Sequence, residues 1–165
     1  MSPGPTFNDH EPAAMNDFKR MHDGSPVLLM EHVRAVVASD PNVEVLVGTD
    51  SHNRTSHTLY TTTVVLRFKC NGAQVIYRRE KAKKVTDLWT RLWGEVERSL
   101  AVAHALRDEG GIRVSRIDMD LNSDPQHGSH RLHATAVGYI RSHGYEPRTK
   151  PDLLIASWAA NVLCQ

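Results

Sequence analysis

Four carboxylates stand where acids could do chemistry: Asp50, Glu95, Asp118 and Asp120. Metal-assisted phosphoryl hydrolysis needs several carboxylates converging at one end of a sheet. Their hard oxygens hold Mg²⁺ or Mn²⁺, which activates a water and stabilises the leaving oxygen. Asp50 closes the β-branched, apolar run Val43 to Asp50, which reads as a buried strand. An Asp there is either a ligand or the cap of the following turn. Asp118 and Asp120 lie at i and i+2 near the end of a second apolar run, so they share a face.

Glu95 is placed by a helical wheel at about 100° per residue. Leu88, Leu92, Val96, Leu100, Ala103 and Leu106 form the apolar stripe. Glu95 sits at the stripe's edge and Glu97 almost opposite. A carboxylate turned toward a sheet needs a cation, a metal or a hydrogen bond. Asp124 before Pro125 reads as a helix cap. Asn122 is a candidate to orient a substrate. Ser51 and His52, beside Asp50, are candidate substrate contacts, His52 toward phosphate. His127, His130 and His133 lack an i, i+4 pair and read as a solvated face, although two of them with Asp124 have the types for a transition metal. Arg78, Arg79, Lys81, Lys83 and Lys84 form a basic run. It is either a solvated connector or a track for a phosphate backbone. Trp89, Trp93 and Trp158 read as core rather than as base-stacking platforms, and Trp93, furthest from the stripe, is the one to suspect as a platform.

The elements that must position these residues follow from periodicity. A helix is expected from Ser25-Pro26, a hydroxyl cap with proline behind it. Strands are expected at Val43 to Asp50, Leu59 to Phe68 and Gln74 to Arg79, with a polar loop at His52 to His57 and a hairpin at Asn71-Gly72. Thr86 or Asp87 starts a long helix ending before Gly110-Gly111. A fourth strand runs from Ile112 to Leu121 and a helix from Ser129 to Ser142. A short fifth strand covers Tyr145 to Thr149, and a last helix opens at Pro151. This predicts an α/β chain: a mixed five-stranded sheet, three antiparallel strands and then βα units, with helices on both faces and an extra N-terminal helix.

The chain has 165 residues, 20 Lys and Arg against 19 Asp and Glu, and a net charge of +1. That suits one domain, and a polyanion partner would need a local basic patch. We expect residues 1–24 to be a flexible segment and 25–165 a single domain. No apolar run spans a bilayer, and no basic and apolar leader opens the sequence. Cys70 and Cys164 have no CxxC spacing. A cytoplasmic protein without membrane contact is the expectation.

Several pieces together resemble the YkuK-type family of uncharacterised bacterial ribonuclease H-like proteins. They are Gly48-Thr49-Asp50-Ser51, Glu95-Val96 with Ser99 and Ala103, and Asp120-Leu121-Asn122 with Pro125 and Ser129. Gly138-Tyr139, Gly144, Lys150-Pro151, Ala156-Ser157 and Ala160-Asn161 continue the pattern. The element order after the first helix is likewise similar to that of ribonuclease H. The resemblance implies that fold, and two divalent ions held by acids of the first strand, the first helix and the fourth strand. Asp50, Glu95 and Asp120 match those positions. Many such proteins add an acid or His from the last helix, where this chain has Asn161. Asp118 or Asp152 is a candidate to compensate.

The expectation is a nuclease that uses Mg²⁺ or Mn²⁺ on RNA, DNA or a hybrid. Asp50, Glu95 and Asp120 would be ligands, Asp118 and Asn161 further candidates, and Lys150 a phosphate contact. Two alternatives stay open: a nucleic-acid-binding module of the same fold without catalysis, and a protein-interaction scaffold with structural acids.

Overall fold

The computed structural model describes residue 15 and residues 17–69 and 72–165. Asn71 of the expected hairpin, Cys70 and residues 1–14 lie outside them. Among the described residues, seven strands form one mixed sheet: β1 (Phe18–Arg20), β2 (Pro26–Val27), β3 (Glu44–Asn53), β4 (His57–Phe68), β5 (Gly72–Lys83), β6 (Arg116–Asn122) and β7 (Pro147–Lys150). Four α-helices of the described residues pack on it: α1 (Leu29–Ser39), α2 (Leu88–His104), α3 (His130–Ser142) and α4 (Ile155–Cys164). The sheet order is β2-β1-β5-β4-β3-β6-β7. β3, β4 and β5 are antiparallel, and β6 and β7 add in parallel. The expected five strands are the contiguous run β5-β4-β3-β6-β7 of this order. The sheet is wider than expected because β1 and β2 extend it beyond β5.

Those two strands also correct the N-terminal reading. Ser25-Pro26 does not cap a helix. Gly24, at φ 70°, turns the chain between β1 and β2. The Ser25 hydroxyl donates to Asp23 at 2.7 Å, and Pro26 pairs with Lys19. The same residue types that start helices also make tight turns, and here the turn takes them. Phe18, inside the segment expected to be loose, is fully buried.

Three other boundaries move. β3 runs on to Asn53, which pairs with Thr58, so only residues 54–56 connect β3 to β4. β5 runs on to Lys83, so most of the basic run lies on a strand rather than a connector. Residues 112–115 precede β6 as irregular chain, and α4 starts at Ile155, after Pro151. Asp87 does cap α2: its carboxylate accepts from the Thr90 N–H at 2.7 Å.

Both faces of the sheet are covered, which is why its central strands are apolar almost throughout. Val45, Val47, Val64 and Leu66 join side chains of α1, α2 and α3 in the larger core. Leu46 and Val65 pack with Ala156 and Ala159 of α4 on the other face. The alternation along β3 therefore sends odd-numbered residues toward α2 and even-numbered ones toward α4. α4 lies unusually close. A Cβ on Gly48 would stand 2.8 Å from the Ser157 nitrogen and 2.9 Å from the Ala156 carbonyl carbon. Among the described residues no helix is long and apolar enough to cross a membrane.

Candidate acidic site

The acids gather where β3 and β6 run side by side between α2 and α4. Consecutive residues of β3 point to opposite faces, so Asp50 and Ser51 divide between the two helices. Ser51, 4 % exposed, turns to α2. Its hydroxyl donates to Glu95 Oε1 at 2.5 Å and accepts from the Arg91 guanidinium at 2.8 Å. The same guanidinium nitrogen donates to the Ser51 carbonyl at 2.9 Å. One helical turn separates Arg91 from Glu95, so both reach one spot. Deeper in, Ser99 donates to Thr49 at 2.8 Å, fixing the next turn of α2 to β3.

Glu95 is only 6 % exposed. Burial pushes its carboxyl up to about 8, with Asp50 and Asp120 adding repulsion and Ser51 and Arg91 opposing it. Asp50 is partly buried, and burial raises its carboxyl too. The Ser51 backbone offsets part of that, and Asp120 adds to it. Asp120 is half-exposed and holds Lys150 Nζ at 2.5 Å. The three acids thus feel one another's charge.

Asp118 has a different setting. It is fully buried, pairs with Arg116 at 2.9 Å and accepts the Ala156 N–H at 2.9 Å. It anchors the start of α4. Asp152 lies 3.5 Å from Arg148. Asn161 is exposed and shares a cavity of about 430 Å³ with Asp120, Lys150 and Trp158. His52 is exposed on β3. The Asn122 side-chain oxygen accepts the Asp124 N–H at 2.9 Å, and Asp124 in turn accepts the Gln126 N–H. Asp124 therefore closes a turn before α3 and does not cap the helix as expected, because Ser129 is the residue that precedes α3.

The histidine tract is not assembled. His130 bonds the Ser123 carbonyl, His133 bonds Thr149, and His127 is exposed. The basic run is partly spent on structure. Arg79 donates to the Leu163 carbonyl at 2.9 Å, and Arg54 donates to those of Cys164 and Gln165. These cations cap the C-terminal end of α4. Arg78 is buried, with its guanidinium 5.6 Å from the Phe18 ring. Lys84 bonds the Thr55 carbonyl, and Lys81 and Lys83 are exposed.

The tryptophans depart from expectation. Trp93 packs on Tyr139 at 4.9 Å, whereas Trp89 and Trp158 are 42 % and 64 % exposed. Leu88 of the expected stripe is exposed as well, because α2 begins beyond the edge of the core. Arg91 was missed. Its position four residues before Glu95 was the signal.

In kind, the donor set fits a hard cation: three carboxylates, from β3, α2 and β6, with burial raising the carboxyls of Glu95 and Asp50 and repulsion among the acids adding to it. In place, it is open. Among the described residues no three His, Cys, Asp or Glu side chains already gather closely enough to hold a metal ion.

Residues 29–165 match the family model described as Ribonuclease H-like, and the chain belongs to that family. No curated protein matches the chain.

Proposed function

We propose that this member of the Ribonuclease H-like family is a divalent-metal-dependent nuclease of the YkuK type, with Asp50, Glu95 and Asp120 as its metal ligands. The observation that carries the reading is the buried Glu95, whose carboxyl burial pushes up to about 8, with the nearby Asp50 and Asp120 adding repulsion. Carboxylates placed so that they repel are relieved by a cation. Bound there, one or two Mg²⁺ or Mn²⁺ ions would supply Lewis-acid activation of water and charge stabilisation at the phosphorus.

The chain's own residues have separate tasks. Ser51 and Arg91 hold Glu95 at the sheet. Asp50 and Asp120 present oxygens from neighbouring strands. Lys150, half-exposed on Asp120 in the structure, would contact a substrate phosphate beside that carboxylate. His52, Asn122 and the exposed Lys81 and Lys83 border the path of the strand.

A second reading is a binding module of the same fold. It is favoured by the Asp120–Lys150 pair, which satisfies the acid without any metal. Labelled single-stranded, duplex and hybrid substrates, incubated with Mg²⁺ and with Mn²⁺, separate the two. The nuclease cuts only with metal and loses activity in Asp120→Asn. Binding without cutting on every substrate sinks the nuclease reading, and equal cutting by wild type and variant sinks the role of Asp120.

A further inference from the structure

α4 carries an indole that its packing does not need. Its inner side, Ala156, Ala159 and Ala160, is buried against the sheet. Trp158 faces outward at 64 % exposure, with Leu153 at 75 %. A tryptophan left in water by its own fold is a contact surface in waiting, because its flat apolar face is large and its N–H is polar. Its location narrows the partner. Trp158 lines the same cavity as Asp120, Lys150, Ser157 and Asn161. At about 430 Å³ this cavity is within the range that holds a small-molecule-sized group.

The four chemistries there are complementary to one nucleotide. Lys150 supplies a cation for phosphate. Trp158 supplies a face for a base. The Asn161 amide has donors and an acceptor for a base edge. Asp120 belongs to the acids proposed to act on the phosphodiester. We infer that Trp158 is a stacking platform for an unpaired nucleobase next to the acidic site, so that the preferred substrate is single-stranded at the reacting nucleotide. This rests on the nucleic-acid reading above and deepens it. A base in a duplex is already stacked on both sides, and only an unpaired one is free to lie on an indole.

Binding is measured without metal, in EDTA, so that it does not depend on cleavage. The probes are fluorescently labelled oligothymidylate, oligouridylate and a duplex of equal length. Wild type, Trp158→Ala, Trp158→Phe and, as a control outside the cavity, Trp89→Ala are compared by anisotropy. Trp158→Ala is expected to bind the single strands at least about fivefold more weakly. Trp158→Phe recovers much of the loss, and Trp89→Ala binds as wild type does. Duplex binding changes little. The inference is overturned if wild type binds neither single strand, if Trp158→Ala binds them unchanged, or if it weakens duplex equally. It is also overturned if sedimentation shows that Trp158→Ala turns a dimer into a monomer, since the indole then serves a second copy of the chain. Loss of single-strand binding in Trp158→Ala, together with undiminished cutting by Asp120→Asn, would keep the platform and discard the metal ligand.

Discussion

The Ser51 hydroxyl donates a 2.5 Å hydrogen bond to Glu95 Oε1, and so joins the strand that carries Asp50 to the helix that carries the buried acid. This bond sets the orientation of Glu95, while Arg91, bonded to the same hydroxyl, brings a positive charge close by. The account of the site follows from that arrangement.

Glu95 makes stability depend on pH. Its folded carboxyl lies near 8, above the ordinary 4.5 of an unfolded chain. Between those values the folded state binds the extra proton, so stability falls as pH rises through the window. In metal-free protein, melting temperature is expected to drop from pH 5 to pH 8 on this account. Glu95→Gln, which keeps the hydrogen-bonding shape, should flatten that slope and melt higher than wild type at pH 8. Parallel slopes for the two proteins would remove the buried-acid argument.

Asp118 and Asp120 are two residues apart and should behave oppositely. Asp118→Asn breaks the pair of the fully buried Asp118 with the mostly buried Arg116 and weakens the anchor of α4. We expect a loss on the order of 3 kcal/mol in denaturant unfolding. Asp120 is half-exposed on Lys150, so Asp120→Asn should change stability by less than about 1 kcal/mol. Equal losses would mean that Asp120 is structural.

Gly48 is where β3 and α4 touch. A methyl group there meets the backbone at Ser157 and Ala156, and backbone does not yield as a side-chain tip would. Gly48→Ala is expected to destabilise by about 1–3 kcal/mol. Hydrogen exchange should speed up along α4 before it does along α2. Uniform loosening of both helices would contradict that local cause.

Much of this was legible in the sequence. β-Branched, apolar runs marked β3 and β4, and the helical stripe put Glu95 at the edge of the side of α2 that meets the sheet. What was hidden depended on partners distant in sequence. Nothing local says that Asn53 still pairs with Thr58, or that Arg79 and Arg54 are needed at the end of α4. Ser25-Pro26 is the reverse case: a true local signal, for a turn rather than a helix. Asp118 and Asp120 looked equivalent by spacing. The resemblance singled out Asp120, and the approach of Ala156 to Asp118 and of Lys150 to Asp120 tells them apart physically.

The most direct test is calorimetric titration of the metal-free protein with Mn²⁺ at pH 6 and at pH 8. The account predicts binding that is tighter at pH 8, because Glu95 must lose its proton, with proton uptake by the buffer at pH 6. It also predicts that Asp120→Asn binds far more weakly at both. No heat of binding at either pH, or identical affinity in Asp120→Asn, would contradict the claim that these carboxylates form a metal site.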